Sequence, residues 1–493
     1  MKHRMSKLRP LRGPLAAGLV LAVGGALSPL VIGAGAATAA KVPGSGTVLQ
    51  TNLVSDLPGV AMATDPNLVN PWGISESGGS PIWISDNNAG VSTLYQVPGA
   101  SGTTVSVNPL VVNIPTPVSL TDGTPTGTVF NVAGSAFPIT GKNSQGQTTT
   151  VPAVFLFDTE DGTIVGWNPT IAGPGSKQAV IAKDNSGNNF TNPDPNKQTG
   201  AVYKGLAIAT SPTPIIAGDA NSTSLLYASN FRAGTIEVYD ANFDLVTTLP
   251  PGAFTDPSLP KGYAPFNVQV LNGKLYVTYA KQDAARHDDD AGPHRGFVDV
   301  FNLDGTPGLA GGNARLISRG PLDSPWGLAI APQGFASLTA PGGDPVLLVG
   351  NFGNGRIHAF DANTGAGLGR LTDPDGEPID IDGLWGLKVG NGGNGGATNT
   401  VYFTAGLFGE SHGLFGALST VTAGSPEGPA EGQWVTANVD LVQLDQQTLE
   451  ADAAAGAPAD TIKADARALI TDSRHLARVE RAYAKDVVRD TNS

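Results

Sequence analysis

The chain has no cysteine, which excludes structural disulfides, thiolate metal centres and a cysteine nucleophile. Charged residues are only 14% of its 493 residues, too few for a chain built mainly of solvent-facing amphipathic helices. Its 29 Lys and Arg are outnumbered by 42 Asp and Glu, for a net charge of −13, and no basic stripe interrupts the excess. That balance argues against a nucleic-acid partner. No P-loop and no His-Glu-x-x-His motif occurs, which removes the compact nucleotide-cradling and zinc-protease signatures. Beyond the N-terminus no apolar run is long enough to span a bilayer.

What is abundant is glycine and proline, 65 and 38 residues. With aromatic and β-branched residues also plentiful, that content implies short strands joined by many turns, not disorder. The N-terminus carries Lys2, His3, Arg4, Lys7, Arg9 and Arg12, then an apolar run over 15–32 and the small-residue site Ala37-Thr38-Ala39. This is the pattern of a secretory signal peptide over 1–40, cut near Ala39 or Ala40, and it predicts a secreted, extracellular protein with no stable membrane anchor after cleavage.

The stretch 225–240 (LLYASNFRAGTIEVYD) reads as strand, tight turn and strand, with apolar residues alternating at period two. The same frame fits 83–95, 155–167 and 348–360. In each, a bulky apolar residue is followed seven positions later by Gly90, Gly162, Gly234 or Gly355, and then by Tyr95, Trp167, Tyr239 or Phe360. Looser copies cover 276–301, with an insertion, and 402–418. Before each hairpin stands a short strand start: Trp72-Gly73, Thr126-Gly127, Lys204-Gly205, Phe266-Asn267, Trp326-Gly327 and Trp385-Gly386. After each comes a further alternating run, such as 110–114, 179–181 and 245–249.

One repeat is therefore four strands, A to D, and six repeats predict an all-β fold, a six-bladed β-propeller over 41–428. A seventh blade is an alternative if 433–444 hides a further sheet. Strand A would line the axis, where glycine lets backbones approach closely. Residues 47–55 are placed to add the outer strand of the last blade and close the ring. Insertions at 131–152, 184–198, 211–222, 282–295, 332–344 and 390–399 read as surface loops. From 429 to 493 the texture turns rich in Ala, Asp, Lys and Arg, which predicts a C-terminal helical hairpin extension, a packing tail or a partner-binding element.

In such a ring the B–C turns open at the channel mouth. They carry Asp86, Asp158, Asn230 and Asn351 at aligned positions. Four oxygen-bearing side chains aimed at one axis are candidate ligands for Ca²⁺; the same residue types also serve as ordinary turn formers. The fourth blade's B–C connection, 282–295, holds His287, His294 and four carboxylates, and the sixth offers Glu410 and His412. These histidines and the glutamate are candidate metal ligands or acid–base groups, or else parts of solvated charged loops. Trp72, Trp326 and Trp385 are candidates for stacking on a sugar or for packing between blades.

The run from Leu53-Val54-Ser55-Asp56 through Asp65-Pro66-Asn67-Leu68-Val69-Asn70-Pro71-Trp72-Gly73-Ile74 carries a resemblance, as do Asn230-Phe231-Arg232-Ala233-Gly234-Thr235-Ile236 and Tyr279-Ala280-Lys281-Gln282-Asp283 leading to Gly296-Phe297-Val298-Asp299-Val300-Phe301. Over about 53–418 the chain resembles an uncharacterised family of secreted bacterial six-bladed β-propeller proteins, and more distantly NHL-type propellers. The resemblance implies a propeller outside the cytoplasm and no particular reaction. Two functions follow as expectations: a binding scaffold for a small molecule, polysaccharide or protein at the mouth, and a Ca²⁺-assisted, lactonase-like hydrolase with its site there.

Overall fold

A computed structural model of the chain describes residues 45–99, 104–171, 177–187 and 200–421, with isolated positions between 446 and 455. The signal peptide expected over 1–40 lies outside the described residues, as does the helical extension expected over 429–493 apart from those positions. Among the described residues no helix is long and apolar enough to cross a membrane.

Six antiparallel sheets are arranged about one axis. Their innermost strands are Pro71–Ser75, Pro125–Phe130, Tyr203–Thr210, Tyr263–Leu271, Pro325–Ile330 and Leu384–Val389. Each packs on the next, and the last packs on the first. The ring therefore closes at six blades. In every blade the glycine-signature strand is innermost and pairs with the first strand of the hairpin, as the sequence predicts.

Closure is made by Val48–Ser55, which lies antiparallel against Leu414–Thr420 as the fourth strand of blade 6. This strand, joined in turn by the short parallel strand Ala63–Thr64, covers an edge that would otherwise offer free N–H and C=O groups. The wedges between blades are apolar. Leu53, Val54, Ile84, Tyr95, Tyr402 and Phe415, for example, form one buried cluster across the seam between blades 6 and 1.

At the axis the backbones touch. A Cβ on Gly127 would lie 2.3 Å from the Leu206 backbone nitrogen, in the neighbouring inner strand. Blade 4 carries Asn267 at this place, and its amide donates to the Trp326 carbonyl of the next blade at 2.8 Å. Its neighbour Gly205 leaves the room, since a Cβ there would meet the Asn267 side-chain oxygen at 2.2 Å.

Two local expectations are corrected. Blade 3 has three strands, Tyr203–Thr210, Ser224–Asn230 and Thr235–Tyr239. The run 245–249 touches the last of these only through a Tyr239–Leu245 bridge and Val246 N–H donating to Val238. Pro250 and Pro251 follow at once and have no N–H to extend a ladder. The 131–152 insertion is not a bare loop: Pro138–Lys142 and Thr148–Pro152 form a hairpin that seats Phe137 and Ile139 in the core.

Gly127→Ala is expected to destabilise the protein by about 1–3 kcal/mol through overpacking. Gly78→Ala, where an added Cβ meets nothing within 4 Å, is expected to stay near wild type. Denaturant unfolding of both variants checks this, and equal midpoints would remove the close-approach explanation.

Candidate functional site at the channel mouth

Each blade sends one side chain into the axis from the residue before its signature glycine or asparagine: Trp72, Thr126, Lys204, Phe266, Trp326 and Trp385. The four aromatics gather with Phe231 in one buried cluster, and the partly buried Phe352 packs against it. Trp72 and Trp385 are stacked with ring centroids 3.4 Å apart, Phe352 stacks on Trp385 at 4.1 Å, and Trp326 stands edge-on to Trp72 at 6.1 Å. The channel is thus plugged by packed rings, and the three tryptophans pack between blades with no face open to a sugar.

Lys204 is the charged member of this ring, and its side chain is 2% exposed. Its ammonium bonds to the Glu160 carboxylate and, at 3.1 Å, to Asp288. It also lies 4.9 Å above the centre of the Trp72 ring, a cation–π contact. Burial opposes the charge, but the two carboxylates outweigh it and hold the lysine pKa above its ordinary value.

Turns from five blades close around this charge. Asn87 of blade 1 donates to Glu160 at 3.0 Å, Glu160 is the turn residue of blade 2, and Arg232 stands in the turn of blade 3. In blade 4, His287 Nδ1 pairs with Asp288 at 2.9 Å, leaving Nε2 for another partner. The bond to Asp288 is the main cause of a raised imidazole pKa.

In blade 6 the carboxylate of Glu410 accepts a hydrogen bond from Asn70 at 3.2 Å. Its backbone sits at φ 72°, an unfavourable conformation for a residue with a Cβ. Burial first, and then the Glu160 and Asp288 charges, push its carboxyl up to about 7, against the pull of Lys204. The site thus holds a carboxyl that exchanges its proton near neutral pH beside an imidazole whose protonated form is favoured by Asp288.

Of the residues singled out in the sequence, His287 and Glu410 come together here. His294 and His412 are engaged elsewhere: His294 Nδ1 meets the Gly320 carbonyl, and His412 Nδ1 meets Asp56 at 2.6 Å beside the closing strand. Asp86, Asn230 and Asn351 occupy one register, each facing the start of its blade's inner strand: Pro71, Tyr203 and Pro325.

Asp158 is one residue out of step, because the blade 2 turn is shorter and Thr159 takes the shared place opposite Pro125. Its carboxylate accepts from Thr126 Oγ1 at 2.9 Å and Gly127 N–H at 2.7 Å. Asn230 Oδ1 accepts from Ala233 N–H at 3.1 Å, and Asn351 donates to the Pro321 carbonyl at 2.9 Å. These side chains tie turns to adjoining backbone.

Glu160, His287 and Asp288 each bring one ligand atom within 4.8 Å of the others, so they are the set with metal-like spacing among the described residues. The Lys204 ammonium already bonds two of the three, and a divalent ion there would face a fixed positive charge.

Residues 409–413 also spell Gly-x-Ser-x-Gly. Ser411 does not form a nucleophile elbow: it has ordinary helical angles, φ −78° and ψ −16°, after the short turn Leu407–Glu410, and its hydroxyl donates to Phe408 at 2.8 Å. The elbow also requires a strand leading into a helix, whereas this turn joins the antiparallel strands Val401–Ala405 and Leu414–Thr420.

The raised Glu410 pKa has a sign. The folded state binds that proton more tightly than the unfolded chain, so its contribution is full below about 4.5 and is lost as pH rises through about 7. Between pH 5 and 8 the wild-type melting temperature should fall relative to that of Glu410→Gln. Parallel pH profiles for the two proteins would contradict the assignment.

No family model matches the chain. It is 32% identical over 372 residues to uncharacterized protein R648 of Acanthamoeba polyphaga mimivirus, spanning 74% of this chain and 78% of that one. It is 31% identical over 371 residues to uncharacterized protein L690 of the same virus, spanning 74% and 84%. A solved streptogramin B lyase aligns over 76% of this chain and 97% of its own at 12% identity and a TM-score of 0.34. The two protein relatives are viral and give no support to a bacterial, secreted origin. By its match to R648, the chain belongs to the family of proteins that includes R648 and L690.

Proposed function

We propose that this chain is a secreted binding propeller whose ligand seats at the channel mouth against His287, Asp288, Glu410 and Arg232. The supporting observation is the buried Lys204 ammonium in an otherwise uncharged ring. Burying a lysine costs several kcal/mol before its partners compensate. An aromatic side chain, as in four of the other five blades, would close the channel without that cost. A charge kept there against stability fits a role in holding and polarising Glu160 and Asp288 for a ligand.

The groups that reach solvent set the ligand's sign. Asp288 is 64% exposed, and with Glu160 and Glu410 the carboxyls outnumber Lys204 and Arg232. That favours a small amine-bearing or polyhydroxylated molecule over an anion. The aromatic rings lie beneath the charges, so recognition would rest on hydrogen bonds to the acidic rim.

A second reading, hydrolysis, draws support from Glu410. A carboxyl titrating near 7 beside an imidazole held by Asp288 can relay protons. In that reading Lys204 supplies the local positive charge that Ca²⁺ would bring.

Calorimetric titration with neutral oligosaccharides and primary amines tests the binding reading. Saturable binding by one class is expected, weakened tenfold or more in Asp288→Asn. Equal affinity in wild type and Asp288→Asn would move the site away from the mouth. If lactone or ester turnover is found, Glu410→Gln should lower kcat at least a hundredfold; unchanged turnover would end the hydrolytic reading.

A further inference from the structure

The seam where the ring closes contains a second group of polar side chains, which begins one residue before Asn87 of the Lys204 cluster. Asp86 ends the second strand of blade 1, is 0% exposed, and neither of its carboxylate oxygens has a hydrogen-bond partner. Thr93, paired with Ile84 on the neighbouring strand, presents its side chain on the same face of the sheet. Its hydroxyl is likewise buried and lies close to Asp86, without completing a hydrogen bond of ordinary geometry. Two residues further, the Tyr95 hydroxyl donates to Asp65 Oδ2 at 3.0 Å, and Asp65 is buried too.

Orphaned buried oxygens are rare enough to require a cause. An ionised carboxylate in an apolar wedge is not stable by itself. Here the wedge is lined by Leu68, Ile84 and Phe415. The contrast within the ring sharpens the point. Asn230 and Asn351, at the same register in blades 3 and 5, are neutral and donate to Glu237 and to the Pro321 carbonyl. Blade 1 carries a carboxylate at that place, and a second carboxylate, Asp65, acts on it electrostatically. Two acids and a hydroxyl, all hard oxygen donors with no nitrogen or sulfur, suit Ca²⁺ among the common cations.

We propose that Asp86, Asp65 and Thr93 form an internal Ca²⁺ site that clasps the propeller at its seam. Asp65 follows the closing segment directly, and its N–H donates to Ser55 at the end of the closing strand. Asp86 belongs to blade 1. An ion held by both ties the strand that completes blade 6 to the first blade, so the site's role is structural and independent of any ligand at the mouth.

The full chain, stripped with EDTA and returned to buffer with CaCl₂ alone, tests this. Wild type should take up one equivalent of Ca²⁺ and gain on the order of 5 °C in melting temperature when well saturated. Asp86→Asn should show no gain, and in EDTA it should melt at or above wild type because an unpaired buried charge is gone. The proposal is overturned if wild type melts at the same temperature in EDTA and in CaCl₂, the outcome of a protonated Asp86 beside ordered water. It is equally overturned if Asp86→Asn keeps the full Ca²⁺ response. Should Asp86→Asn fail to fold, Asp65→Asn and the calcium content of wild type decide by the same criteria.

Discussion

Six inner strands crowd one axis, and how closely their backbones approach sets what the rest of the molecule can do. A glycine such as Gly127 lets one strand lie within van der Waals reach of the next. The space left takes one side chain from each blade. Four of those six are aromatic and stack into a plug, which gives the ring a core of its own beyond the apolar wedges between sheets. A fifth is Thr126, whose single hydroxyl proton is shared between Asp158 and the Tyr203 carbonyl. The sixth is a lysine, and everything site-like on the mouth face follows from having to neutralise it.

The neutralisation is local and directional. The Lys204 ammonium rests on the Trp72 ring and reaches up to Glu160 and Asp288. Those two carboxylates raise the affinity of nearby groups for protons. They help push Glu410 to about 7, and Asp288 fixes the His287 ring. Asn70 joins the layers: its side-chain oxygen accepts from Trp385 in the plug at 3.1 Å while its amide donates to Glu410. Backbone strain at Glu410 and at Phe408, φ 55°, lies on the same turn, where a functional site can sustain it.

Much of this architecture was legible in the residues. Period-two alternation, turn glycines and the signatures before each hairpin identify the blades and their inner edges, because strand spacing and glycine crowding act locally. The closing role of 47–55 was also readable, since that stretch alternates like a strand yet precedes the first full repeat. The fine register was not. A turn shortened by one residue moves Asp158 to the other face of its strand, and counting from the bulky residue at Phe155 cannot detect that. Nor was the fate of 245–249 visible, where alternation survives but Pro250 and Pro251 end the pairing.

The centre of the site is not legible in the sequence for a different reason. Lys204 and Glu160 lie 44 residues apart in sequence, and each looks ordinary alone, one before a strand glycine and one in a turn. In blade 2 the side chain that meets Lys204 stands two residues beyond Asp158, at a turn position with no counterpart acid in the aligned repeats. The available signal was the odd member of a set: five blades place aromatic or hydroxyl side chains before the signature glycine or asparagine, and blade 3 places lysine.

The central claim is that a buried ammonium, compensated by Glu160, organises the mouth. A double-mutant cycle with Lys204→Met and Glu160→Gln, read by equilibrium unfolding at neutral pH, tests it most directly. The account predicts a loss of about 3–5 kcal/mol for Lys204→Met alone and a coupling energy of about 2 kcal/mol or more between the two changes. Additive effects, with coupling under about 0.5 kcal/mol, would contradict it.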